Sequence, residues 1–105
     1  MNLVKCKNAN KESFKWYRRV ADQGHVAAQA ELGFLYRYGR GVEQNDIQAY
    51  KWLSISAREG HEQPQETKQR LEEEMTPVQV AEAQELARKW IEKWKVKFKP
   101  IYQRH

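Results

Sequence analysis

His25 and His61, with Trp16 and Trp52, are the side chains in this sequence best suited to chemistry. A histidine pair could ligate a metal or exchange protons near neutral pH. An exposed indole could stack on a ligand or a base. Glu72, Glu73 and Glu74 could supply acid–base carboxylates or hold a hard cation. The single cysteine, Cys6, sits between Lys5 and Lys7, whose charges favour the thiolate. Spacing argues against most of this. His25 and His61 are 36 residues apart, and so are Trp16 and Trp52, Phe14 and Tyr50, Lys15 and Lys51, Ala21 and Ala57, and Gly24 and Gly60. A catalytic residue has no reason to recur with a structural period, whereas a repeat-forming residue must. Each histidine follows a helix-ending glycine, so a capping or packing role at a turn is expected. Both tryptophans are expected between helices. The three glutamates are consecutive and point in different directions on a helix, which favours a solvated face. Cys6 has no histidine near it in sequence. No P-loop, zinc-ligand spacing, nucleophile elbow or dinucleotide fingerprint occurs. No catalytic residue, cofactor or metal is therefore expected.

A period of this length signals stacked helical hairpins. The first helix is expected over Asn10 to Asp22, capped by Asn10 and stopped at Gly24. Phe14, Trp16, Tyr17, Val20 and Ala21 form its apolar stripe. The second covers Val26 to Tyr38, with Gly33 marking a point of close approach. Gly39 and Gly41 break it. The third begins at Asn45 or Asp46 and ends before Gly60; Ala49, Trp52, Leu53, Ser56 and Ala57 line its buried face. "QPQETKQRLEEEM" reads as a fourth. "TPVQ" opens a fifth, with Thr76 as cap, Pro77 at the first helical position and Gln79 closing a capping box. Val80, Ala83, Ala87, Trp90, Ile91 and Trp94 then make a seam. Beyond Trp94 the pattern alternates as in a strand, and Pro100 is expected to stop any helix.

Composition sets the remaining bounds. The 105 residues are 40% hydrophobic and 11% aromatic, enough for the core of one small domain. One cysteine excludes an intramolecular disulfide framework, and no run reaches the ~20 apolar residues of a membrane span. The opening "MNLVKCKNANKES" lacks the apolar core of a signal peptide, so a cytoplasmic location is expected. The net charge of +5 is uneven. Met1 to Arg19 holds six Lys or Arg against one Glu, and Arg58 to Glu74 holds six Glu against three cations. The chain turns basic again from Arg88. Such polarity fits a polar protein partner or self-association as well as nucleic acid.

The segment "AQAELGFLYRYGRGVEQNDIQAYKWLSISAREGH" resembles the Sel-1-like repeat, a relative of the tetratricopeptide repeat. Ala28, Gln29, Leu32, Gly33, Tyr36, Gly39, Gly41, Val42, Ala49, Lys51, Trp52, Ala57, Gly60 and His61 fall on that pattern in register. The resemblance implies an all-α fold: a short α/α solenoid of helical hairpins with a long C-terminal capping helix. Residues 10–25 would be the second helix of a partial repeat, 26–61 a full repeat, 62–97 a divergent closing hairpin and 98–105 a basic tail. Family members act mainly as adaptors or scaffolds, so the expected partner is another protein or peptide, and catalysis is not expected. The first helix of each hairpin lines the groove in related solenoids. Glu31, Phe34, Arg37, Tyr38 and Arg40 are therefore candidate contacts. Arg18 and Arg19 are candidates because they replace Ser54 and Ile55 of the second copy, on a helix whose natural neighbour is missing. That unpaired helix invites a homodimer or a partner chain. The alternative is nucleic acid or an acidic membrane held by the basic ends, with Lys95, Lys97, Phe98 and Lys99 as tail contacts, or an edge strand added to a partner.

Overall fold

In the computed structural model, which describes residues 10–58 and 63–102, five helices follow one another. They are α1 (Lys11–Asp22), α2 (Val26–Tyr38), α3 (Asp46–Arg58), α4 (Gln63–Glu74) and α5 (Pro77–Tyr102). No strand occurs among the described residues. Cys6, Gly60, His61 and His105 lie outside them.

Short polar side chains start the helices by satisfying backbone N–H groups that have no intrahelical acceptor. The Asn10 Oδ1 accepts from the Ser13 amide at 3.0 Å, and the Asn45 Oδ1 from the Gln48 amide at 3.0 Å. His25 caps α2 through Nδ1, which accepts from the Ala28 amide at 3.3 Å. The repeated histidine thus serves the turn, as its position after Gly24 implied. Thr76 and Gln79 exchange hydrogen bonds of 3.1 and 3.0 Å in a reciprocal capping box at the head of α5. Gly24, at φ +95°, and Gly39, at φ +65°, take the left-handed conformation that ends α1 and α2.

The main packing pairs are α1 with α2, α2 with α3, and α3 with both α4 and α5. This is the α/α solenoid expected. Helix α3 is its centre: Ala49, Tyr50, Trp52, Leu53, Ile55 and Ser56 are all buried. At Gly33 a Cβ would lie 2.7 Å from Leu53 Cγ and 3.3 Å from the Ala49 carbonyl, so the glycine is what lets α2 seat on α3. Trp52, fully buried, meets the Trp90 ring of α5 edge-on at 5.4 Å. Helix α5 also reaches back to the first turn, where Trp90 Nε1 donates to Asp22 Oδ1 at 3.1 Å and the Trp94 ring lies against Gly24. Two buried polar side chains bond backbone carbonyls: Gln29 Nε2 donates to the Ala21 carbonyl at 3.2 Å and Ser56 Oγ to that of Val26 at 3.1 Å. Each fully buried leucine contributes about 1.5–3 kcal/mol. An exposed ion pair one turn apart contributes about 0.3–0.5 kcal/mol. The buried seam therefore holds the fold, and the surface pairs add little.

Two expectations need correction. Trp16 is not packed between helices as Trp52 is. It is 53% exposed, touching the neighbouring Tyr17 ring, because no helix among the described residues covers that side of α1. Nor does the chain leave the helix after Trp94 or stop at Pro100, since α5 continues to Tyr102 and forms no edge strand. Extending an established helix adds residues without a new nucleus, so a Lys-alternating segment is carried along. Pro100 falls within the last turn, where its missing N–H removes a single bond from a long ladder.

Gly33→Ala is expected to lose up to about 2 kcal/mol in denaturant melts, the overpacking cost of about 1–3 kcal/mol less the ~1 kcal/mol helix-propensity gain. Gly41→Ala should lose more than Gly33→Ala: Gly41 has φ +77° and a Cβ there would overlap the Asn10 carbonyl. His25→Ala should lose about 1 kcal/mol with its cap, and His25→Asn should recover most of it.

Candidate partner-binding surfaces

The candidates named from the sequence fall into separate environments. Arg37, in the last turn of α2, joins three elements. Its guanidinium donates to both Glu74 carboxylate oxygens, at 2.9 and 3.2 Å, and to Asp46 Oδ1 at 3.5 Å. With its side chain only 16% exposed, it clasps the end of α4 to the start of α3. Arg37 pulls the Glu74 carboxyl below its ordinary range, chiefly through this hydrogen bond, and is itself raised. Next to it Tyr38 is 60% exposed, its ring 5.9 Å from the Arg37 guanidinium carbon. Phe34 is half-buried against the core. Glu31 is half-buried and Arg40 exposed. On α1, Arg18 Nε donates to Asp22 Oδ2 at 3.3 Å, while Arg19 is exposed. Lys95 is exposed on α5; the side chains of Lys97, Phe98 and Lys99 lie outside what the structure describes.

Two concave surfaces stand out, the first on the helix expected to lack a neighbour and the second without a signal in the sequence. On the outer side of α1, Glu12, Ser13, Trp16 and Tyr17 line a concavity of about 370 Å³. Between α3, α4 and α5 lies a cleft of about 540 Å³ lined by residues from all three, among them Tyr50, Lys68 and Gln84. No local spacing links these positions. At its base the Tyr50 hydroxyl donates to Glu72 and lies 3.5 Å from Gln84 Nε2. Burial, then the Glu72 bond, push the phenol up to about 12, so it stays a donor at neutral pH. Among the described residues no cluster of three His, Cys, Asp or Glu side chains could hold a metal ion. None of the described helices is long and apolar enough to cross a membrane.

The Sel1 repeat model matches residues 7–25 and 26–61, just over half of the chain. The chain belongs to the Sel1 repeat family. The first match is short, covering the turn-ending part of a unit that contains α1, and the second spans α2 and α3. An exopolysaccharide production negative regulator of Rhizobium meliloti is 39% identical over 51 residues, 49% of this chain and 19% of that protein. A chitin synthase regulator of Saccharomyces cerevisiae, SKT5, is 39% identical over 46 residues, 44% of this chain and 7% of that protein. A protective antigen of uropathogenic Escherichia coli strains displaying an SLR fold superposes with a TM-score of 0.76 at 28% identity, over 91% of this chain and 22% of its own. The chain thus spans about a fifth or less of these relatives' length. None of these likenesses supports nucleic-acid or membrane binding by the basic ends.

The Arg37–Glu74 clasp has a definite pH dependence. Because the Glu74 carboxyl titrates lower in the folded state, its stabilisation is present above its ordinary value of 4.5 and is lost as pH falls through the folded value. Wild type should therefore be more stable than Glu74→Gln at neutral pH. The gap should close in acid, as followed by urea melts at successive pH values.

Proposed function

We propose that this chain is a protein-binding adaptor without catalysis, and that its partner docks on the outer face of α1. The observation that carries the reading is one motif in two states: Trp52 is 0% exposed and Trp16, its copy, is 53% exposed. Large apolar side chains left open in this way on a small domain mark interaction surfaces. Tryptophan, tyrosine and arginine are the residues that most often anchor them. The copy also indicates the chemistry of the partner. Ala49 and Leu53 of α3 are covered by α2 through Gly33, and their equivalents on α1 are Ser13 and Tyr17. A partner helix with a small residue at its closest point would complete the unit, and a second copy of the chain is one source.

Arg18 and Arg19 follow Trp16 by two and three residues and would take acidic residues of the same partner, Arg18 by releasing Asp22. Tyr38 and Arg40, with Glu31 and Phe34 beside them on α2, are proposed as further contacts. Arg37 would join them only by releasing Glu74 and Asp46. The relatives named as regulators, of exopolysaccharide production and of chitin synthase, fit a chain that works by binding.

The test is the variant Trp16→Ser, at the exposed indole. Wild type should associate at micromolar concentration in light scattering, as a dimer or with a chain identified by mass spectrometry after co-purification from its own cells. The variant should not, while its melting curve changes by no more than the ~0.5 kcal/mol usual for surface positions. A wild type that stays monomeric, with co-purifying chains retained by the variant, would overturn the reading.

A further inference from the structure

Among the described residues, the cleft between α3, α4 and α5 is lined by more cations than carboxylates. Arg58, Lys68 and Lys95 line it, one from each helix, together with Gln65, Gln84 and Ile91. Its other cation, Arg88, is already held by Glu85 and by Glu92 at 2.6 Å, and Glu92 is the one carboxylate in the lining. Glu72, at the base, accepts from the Tyr50 hydroxyl. Arg58, Lys68 and Lys95 form no ion pair with any described residue. Lys68 is nevertheless positioned, with its Nζ 5.6 Å from the centroid of the Tyr50 ring. Three like charges facing one concavity repel one another, and a ligand bearing several carboxylates relieves that repulsion.

We propose that this cleft binds an acidic peptide segment, with carboxylates at Arg58, Lys68 and Lys95 and an apolar side chain on Ile91. The two glutamine amides favour a peptide, since each both donates and accepts and so complements backbone amides. A volume of about 540 Å³ suits a few side chains. The site stands apart from Trp16, so it adds a second binding surface and does not depend on the first.

The test uses the full chain and a fluorescein-labelled nonapeptide of alternating glutamate and leucine, read by fluorescence anisotropy. Its controls are the lysine–leucine counterpart and an oligothymidine. Saturable binding of the glutamate peptide is expected, weakening with salt and falling about tenfold or more in Arg58→Glu and in Lys68→Glu. Trp16→Ser should leave it unchanged. Should a charge reversal unfold the protein, Lys95→Ala and the amide shifts of wild type on titration replace it, with shifts expected at Gln84 and Ile91. No saturable binding, binding untouched by these substitutions, shifts confined to other residues, or tighter capture of oligothymidine would each overturn the proposal.

Discussion

The structure depends on the approach of α2 to α3 at Gly33. A side chain there would collide with Leu53 and press on the Ala49 carbonyl, so the bare backbone sets how deeply the two helices nest. That depth buries Ala49 and Leu53 and turns Trp52 toward Trp90 of α5. It also brings Ser56 within reach of the Val26 carbonyl. The turn between α1 and α2 is held by the same economy: a left-handed glycine, a capping histidine and a buried glutamine that donates to the Ala21 carbonyl.

In stacked repeats a helix is well buried only where neighbours cover both of its faces. Helix α3 meets that condition from α2 on one side and α4 and α5 on the other. Among the described residues, helix α1 has α2 alone as a major packing partner. The same sequence motif is therefore core in one place and surface in the other, and the difference owes nothing to the motif itself. At the other side of the molecule, α5 closes the stack and reaches back to Asp22 and Gly24. This tethers the first turn to the last helix and leaves the polar cleft at the junction of α3, α4 and α5.

The elements and much of the core were legible in the sequence because their signals are local or periodic. Asn10, His25, Asn45 and Thr76 announce helix starts within four residues of the bonds they make. The offset of 36 separated the structural histidine His25 from a catalytic reading. Signals failed where a residue's neighbour is distant in sequence. Arg37 reads as an exposed groove residue until Glu74 is folded against it. Lys95 reads as part of a basic tail, yet it lines the same cleft as Arg58 and Lys68. Pro100 reads as a stop, although the helix it interrupts was already long enough to continue through it.

By itself, then, the sequence determined that the chain is helical, where its helices start and turn, and that one unit is written twice. These follow from capping chemistry, from the left-handed freedom of glycine and from a period, all of which act over a few residues or by comparison along the chain. Only the tertiary structure decided which copy of the tryptophan is buried, that Arg37 is a clasp, and that cations from three helices converge on one cleft. Those outcomes depend on which helix lies beside which, and packing against a neighbour is a property that no single segment carries.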